Sequence, residues 1–338
     1  MDAPALHLAP DPVAVAIPAW NDRPGLERLL DRLDATGARL EVIVVDDASE
    51  DDTQEALATR PPPPGGALRL LRNAANLGPG PSRNRAIDAA EAEALLFIDA
   101  DDLPHRDLFA WLADAPPRAP ADFTLFRHHF CTREGRLFPG RMTARDEAAW
   151  DAARRARGDL AGLVRLEEAP SLAGMIAFPW TRLFRTEFLR GRDVRFPELR
   201  LHEDLPFHWA AWLRAEAFLV LDHAPPLLHH FQLERGGRAT DAADARRLDA
   251  FRALDMVLEQ EPSLAGAPGA AGAFIDFSVD LVRWVRGLLK GGPHAAEAAR
   301  AAAALGGRLV ALAEVSGAEW EDREAHLEIL GAGEAADA

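Results

Sequence analysis

Apolar and polar positions come in alternating blocks along the first hundred residues. VAVAI (13–17) is a short, mostly β-branched run. Behind it Leu26, Leu29, Leu30 and Leu33 recur at i, i+3, i+4 and i+7, which predicts an amphipathic helix opened near Asn21 or Asp22 and closed by Gly37. LEVIVV (40–45) predicts a second buried strand, and TQEALAT (53–59) a short helix behind an acidic loop. PPPPGG (61–66) is a break. ALRLLR (67–72) reads as a third strand, SRNRAIDAAEAE (82–93) as a helix and ALLFI (94–98) as a fourth strand. Continuous apolar strands alternating with helices specify an α/β fold whose mostly parallel sheet is covered on both faces.

The middle is less regular. DFTLFRHHF (122–130) predicts a strand, 146–168 a charged helix, FPWTRLFRTEFL (178–189) a strand and a helix together, 203–216 a helix and AFLVLD (217–222) a strand. Beyond about residue 238 the pattern is helical only, so a boundary at RGGR separates an α/β region, 1–237, from an all-α extension, 238–338. In that extension Phe274, Phe277, Leu281, Trp284 and Leu288 share one helical face, widened by Ile275, Val279, Val282 and Leu289. Packing on the preceding region, a homodimer contact and a shallow peripheral membrane contact are the three readings of that stripe.

Composition narrows the class. At 338 residues with 48% hydrophobic and 27% charged residues, the chain is neither disordered nor collagen-like, and about two domains fit. No apolar run reaches the length of a spanning helix. With 38 basic and 54 acidic residues the net charge is −16, which disfavours nucleic acid and repels an anionic lipid surface. The one cysteine, Cys131, excludes an internal disulfide and a multi-cysteine zinc site. MDAPALHLAPDP has neither a basic start nor an apolar run, so the expected location is cytoplasmic, with the inner membrane face as a peripheral alternative.

The first four strands are each followed at once by a polar cluster: PAWND (18–22), DDASEDD (46–52), NAANLGPGPSRN (73–84) and DADD (99–102). In an open parallel sheet the carboxyl ends of the strands lie on one rim, where ligands bind. Asp99, Asp101 and Asp102 crowd like charges that a hard divalent cation neutralises; the plain alternative is a helix cap. Asp46 and Asp47 either cap with Ser49 or present a carboxylate to a nucleobase N–H. Gly78, Pro79, Gly80 and Pro81 allow close backbone approach, and Arg83 either pairs with a phosphate or is a solvated helix-start residue. The G-x-G here lacks the third glycine of a dinucleotide fingerprint, and no P-loop occurs. HEDLPFH (202–208) is not a zinc signature; Glu203 and Asp204 open a helix, as caps or with Asp204 as a general base. His229 and His230 are either structural or touch a metal or phosphate.

Taken in order, VAVAIPAWND, VIVVDDASEDDT, NLGPGPSRNRAI, LLFIDADD, FPWTRLFRTEFL and VRFPELRLHEDLPF resemble the motifs of the inverting glycosyltransferases of family 2, over about residues 13–232. The resemblance implies a GT-A fold in residues 1–237, with a nucleotide-sugar-binding half (13–102) and an acceptor half (103–237). It implies a nucleotide-sugar donor, a UDP-sugar above all, bound by Pro18, Ala19, Asn21, Asp47, Arg83, Asp99 and Asp101. It implies a divalent cation, Mn²⁺ or Mg²⁺, at Asp101 and Asp102 with His229 as a weaker candidate. Asp204 would be the base, and the acceptor a glycan or lipid-linked hydroxyl. Trp20 stands where the family has Tyr, and Ala48 where it has Gly. LLHHFQLERGG (227–237) replaces a Tyr-rich segment, which brings His229 and Arg235 into consideration. The alternatives are a non-catalytic binding or scaffold protein on the same fold, and a nucleotidyltransferase; the latter usually carries a Gly-rich basic loop where this chain has PAWND.

Overall fold

The computed structural model describes residues 12–114, 120–131, 141–224, 226–231, 243–320 and 322–331. The chain begins β1 (Val13–Ala19), α1 (Arg23–Asp34), β2 (Leu40–Asp46), α2 (Thr53–Ala58), β3 (Ala67–Arg72), α3 (Pro79–Ala89) and β4 (Ala94–Phe97). Then follow β5 (Leu103–Pro104), α4 (Leu108–Asp114), β6 (Ala121–Leu125), β7 (His128–Cys131) and α5 (Arg141–Arg157). After three 3₁₀ turns come β8 (Arg182–Arg185), α6 (Thr186–Gly191), α7 (Asp204–Arg214), β9 (Ala217–Val220) and β10 (Leu228–Phe231). The remaining described elements are helical: α8 (Asp249–Gln260), α9 (Pro268–Leu289), α10 (Ala295–Ser316) and α11 (Arg323–Leu330).

Seven strands form one sheet in the order β3-β2-β1-β4-β8-β6-β9. The pairs β1/β2, β1/β4, β2/β3 and β6/β9 are parallel; only β8 runs against its two neighbours. This is the mostly parallel, doubly covered sheet the apolar runs predict, and it is of GT-A type. β1 and β2 are buried along nearly their whole length, as central strands of such a sheet must be. Pro18 is tolerated because β4 pairs only with Val13–Ala16, so no ladder bond is demanded of it.

Several expectations are corrected. The stretch 122–130 is two strands, β6 and β7, which belong to different sheets. A small second sheet, β5-β10-β7, was not legible because its strands are two to four residues long. The 146–168 helix begins earlier and ends at Arg157. α3 starts at Pro79 rather than Ser82: Gly78 takes φ 92 as its cap and Pro79 opens the first turn, so Gly78–Pro81 is the helix start and not a loop. On α9 the buried face runs through Phe274, Ile275, Val279, Val282, Val285 and Leu289, whereas Trp284 and Leu288 are exposed. Trp180, Phe184 and Phe188 are core residues, at most 1% exposed.

One apolar core lies on one face of the sheet and contains Ile43, Phe97, Phe123 and Phe184 together with Phe274, Val279, Leu305 and Leu330 of the C-terminal helices. A second, under α1 and α4, covers the other face. No described helix is long and apolar enough to cross a membrane.

Candidate functional site

The polar clusters after β1, β2, β3 and β4 meet at one rim of the sheet, joined by a continuous chain of hydrogen bonds. It begins between the first two. Asn21, in the left-handed region at φ 50, accepts from Glu50 N at 2.8 Å, and its own N–H reaches Ser49 Oγ at 3.0 Å. Asp47 N donates to the Ala19 carbonyl at 2.8 Å, and Asp46 Oδ1 caps the turn through Ser49 N at 2.9 Å. The Ala19 carbonyl and the Asn21 side chain are thus used to clamp two rim loops together. Pro18 is half-buried at the strand end, and Trp20 is 55% exposed.

Asp47 is buried and accepts from Asn73 Nδ2 at 2.6 Å, Leu77 N at 2.9 Å and Gly78 N at 2.8 Å. Its carboxylate shapes the loop that delivers Gly78 to the head of α3. One turn on, Arg83 is buried and bridges Asp99 at 2.6 Å and Glu203 at 2.8 Å. Burial opposes the guanidinium's charge, and Asp99 and Glu203 more than reverse that, holding its proton more tightly than usual. Arg83 therefore ties the third and fourth clusters to the start of α7, Glu203 lying 120 residues beyond Arg83 in the chain. Gly80 makes this closure possible: a Cβ there would lie 2.9 Å from Pro197 O and 3.2 Å from Glu203 Cγ. The close approach expected of these small residues is made by the protein's own backbone.

Glu203 stands at the N-cap position of α7 with its carboxylate on Arg83 rather than on the helix start, and Asp204 is the first helical residue. Burial raises the Asp204 carboxyl to about 8, with Glu203 adding to the rise and Arg83 opposing it. Glu203 is likewise raised by burial against the pull of Arg83. A carboxyl that holds its proton this high, at the end of a sheet rim, has the character of a general acid/base. His202, just before the pair, sits at φ 63 and is half-buried. Strain of this kind collects where a turn must aim particular side chains.

The acidic cluster after β4 divides its charge. Asp99 pairs with Arg83, and Asp102, fully buried, receives His230 Nδ1 at 2.7 Å. Burial raises Asp102 to about 6 while His230 pulls it back and Asp101 and Asp99 push it up. The His230 ring is stacked on Trp180 and tilted against Phe178, which fixes its plane. Of the two adjacent histidines, His230 is the described partner of Asp102. His229 lies beside it in β10, and its side chain, like Arg235 as a whole, is outside the described residues. The like-charge crowding seen in the sequence is thus met in part by side chains, Arg83 and His230.

Asp102 Oδ2 is buried without a hydrogen bond. Among the described residues no three His, Cys, Asp or Glu side chains form a ready cation cage. One free carboxylate oxygen beside a second aspartate fits a hard divalent ion that completes its shell with substrate phosphates and water. It does not fit a closed structural site.

Comparison with known proteins accords with this geometry. Residues 14–174 match the sequence model of glycosyl transferase family 2. A curated relative, the poly(ribitol-phosphate) beta-N-acetylglucosaminyltransferase TarS of Staphylococcus aureus, is 25% identical over 250 residues, 72% of this chain. The chain spans about two fifths of that relative's length, 39%. The crystal structure of S. aureus TarS superimposes with a TM-score of 0.64 at 21% identity, covering 89% of this chain and 50% of that one. TarS 1–349 in complex with UDP-GlcNAc gives 0.53 at 21% identity, with 90% of each chain covered.

Proposed function

From the match of residues 14–174 to the sequence model of glycosyl transferase family 2, we propose that this chain is an inverting, cation-assisted glycosyltransferase that moves a sugar from a UDP-sugar to a hydroxyl of a glycan or lipid-linked acceptor. The observation that carries the reading is Arg83 joined to both Asp99 and Glu203, because it brings the acidic cluster after β4 and the Asp204 turn to one rim. The donor preference draws support from the curated relative, whose name is that of an N-acetylglucosaminyltransferase.

In this reading the donor lies across the ends of β1, β2 and β4. Exposed Trp20 offers an aromatic face to the base, and Pro18, Ala19, Asn21 and Asp47 form the wall behind it. Asp101 and Asp102 would hold Mn²⁺ or Mg²⁺, with His230 orienting the Asp102 carboxylate. That ion would neutralise charge on the departing diphosphate. The acceptor oxygen attacks the anomeric carbon from the face opposite the diphosphate. Asp204 takes the hydroxyl proton as the new C–O bond forms, and the electron pair of the breaking bond leaves with the diphosphate.

Positioned base catalysis contributes about 10²–10⁴-fold. Asp204→Asn is therefore expected to lower UDP-GlcNAc turnover, read as UDP release in Mn²⁺, by at least about 100-fold. Calorimetric affinity for UDP should stay within a factor of two to three of the parent, roughly the 0.5 kcal/mol of a neutral surface change. Near-normal turnover would remove Asp204 as the base. UDP affinity indifferent to Mn²⁺ would remove the cation.

A further inference from the structure

Beneath the Asp204 turn lies a buried cation that the reaction outlined above leaves unused. Arg182, the first residue of β8, is 1% exposed. One of its N–H groups reaches His208 Nδ1 at 2.6 Å; Nε and Nη1 have no hydrogen-bond partner. The imidazole cannot take over the charge. His208 Nε2 is bound to the Ala173 carbonyl at 2.8 Å, so Nε2 carries the proton and Nδ1 accepts from Arg182. Burial, with Arg182 next in weight, holds this histidine well below its usual range and hence neutral. Around the guanidinium stand the rings of Phe123, Phe184 and Trp212, at 5.8, 5.7 and 5.4 Å from Cζ. They soften the desolvation of the cation but supply no counter-charge.

A buried guanidinium with no carboxylate on it is costly, and a fold keeps one only where an opposite charge lies within electrostatic reach. Here the acidic side chain acting on Arg182 is Asp204, which supplies that charge once it gives up its proton. The helix explains the arrangement. His208 is four residues after Asp204 on α7, so the two share a face one turn apart, and the hydrogen bond to His208 brings Arg182 up under that face. Asp204 is otherwise set among carboxylates, Glu203 beside it on α7 and Asp99 after β4, and Arg83 on α3 is already divided between those two.

We propose that Arg182 is a positioning residue that stabilises the anionic, proton-accepting form of Asp204 through buried charge, with His208 as the strut that sets its height. This deepens the reading of Asp204 as base and rests on it. In physical terms the guanidinium opposes the crowding of three carboxylates without touching any substrate, and without water to screen it.

The test uses the full chain, UDP-GlcNAc as donor, water as acceptor and Mn²⁺, and reads kcat against pH. Turnover in the parent should rise with pH as Asp204 loses its proton. The groups facing Asp204 from neighbouring elements are Arg83, Asp99, Glu203 and Arg182, and of these only Arg182 is changed. Removing a nearby cation favours the protonated carboxyl, so Arg182→Met should move the rising limb upward by about half a pH unit or more, with roughly a threefold loss of kcat on the limb. Arg182→Lys should leave the limb in place, and KM for UDP-GlcNAc should not change in either. A limb unmoved in Arg182→Met, with only a lowered Tm, would make the residue structural and overturn the proposal. If Arg182→Met does not fold, the double variant with Asp204→Asn decides. Recovery of the cooperative transition on removing the opposite charge supports the pairing, and no recovery refutes it. Failure of the base itself is separable, since Asp204→Asn would then keep its turnover whatever Arg182 does.

Discussion

At the scale of single residues, the rim is held together by backbone conformations that few side chains tolerate. Ala48 lies between Asp47 and Ser49 at φ 59, in the left-handed region. The motif it resembles commonly has glycine there, and the backbone here takes the conformation glycine favours. For an alanine this costs roughly 1–2 kcal/mol. Glycine would relieve the strain but adds about 0.4–1 kcal/mol of unfolded-state entropy. Ala48→Gly should therefore stabilise by about 0.5–1 kcal/mol, and with ~2–4 °C per kcal/mol the Tm should rise by roughly 1–3 °C in scanning calorimetry. UDP affinity should not change, because the loop already has the shape glycine would allow. A fall in Tm would show that Ala48 bears no strain. The same scale explains what the motifs conveyed and what they did not. DADD announces its acidity in the sequence, but the partners that make it tolerable, Arg83 and His230, stand 16 and 128 residues from their aspartates. Arg182 was visible only as a basic residue between aromatic ones.

At the scale of elements, α3 and α7 matter most to the site, because Gly80 on one and Glu203 at the head of the other almost touch. Three of the four leading strands, β1, β2 and β4, were legible because central parallel strands are mostly apolar, whereas β3, at the sheet edge, is exposed or half-buried throughout. The start of α3 was not, since Gly-Pro-Gly-Pro has the composition of a loop, and only the left-handed Gly78 reveals it as a capped helix start. Nor was the buried face of α9, where a stripe drawn through the largest side chains passes over Trp284, 45% exposed beneath the Arg247 guanidinium. The Gly80 contact carries a prediction. In Gly80→Ala the new methyl meets the backbone oxygen of Pro197 at 2.9 Å, which cannot turn away as a side chain would. Overpacking of this kind costs about 1–3 kcal/mol. The give must come from the 196–203 segment, carrying Glu203 away from Arg83. UDP-GlcNAc turnover should fall by at least about tenfold, the effect expected of a misplacement well under 1 Å at the base, with a lower Tm. A variant with the parent's Tm and turnover would show that the two helices have slack between them.

At the scale of the whole molecule, the helical extension is packed as part of the core. Trp209, on the helix that Asp204 opens, meets Phe274 and Phe277 of α9 edge-on, with ring centroids 5.0 and 5.9 Å apart. Arg145 of α5 pairs with Asp280 at 2.7 Å, Arg214 of α7 with buried Glu261 at 2.6 Å, and the 3₁₀ turn Pro170–Gly174 packs along α9. Removing everything after residue 238 would expose Trp209 and strip Phe251, Leu254, Val257, Phe274, Ile275, Val279, Val282 and Val285 from the cluster they share with the sheet. At about 1.5–3 kcal/mol for each large apolar side chain, the loss is comparable to or larger than the roughly 5–15 kcal/mol by which a domain is stable. A chain ending at residue 238 is accordingly expected to be insoluble, or to melt without a cooperative transition and without any shift on adding UDP and Mn²⁺. The full chain under the same conditions should melt once and shift upward, because a ligand held only by the folded form stabilises it. A soluble truncated chain with a UDP-dependent shift would mean that the extension is an independent module, and that the Asp204 helix keeps its place without α9 behind it.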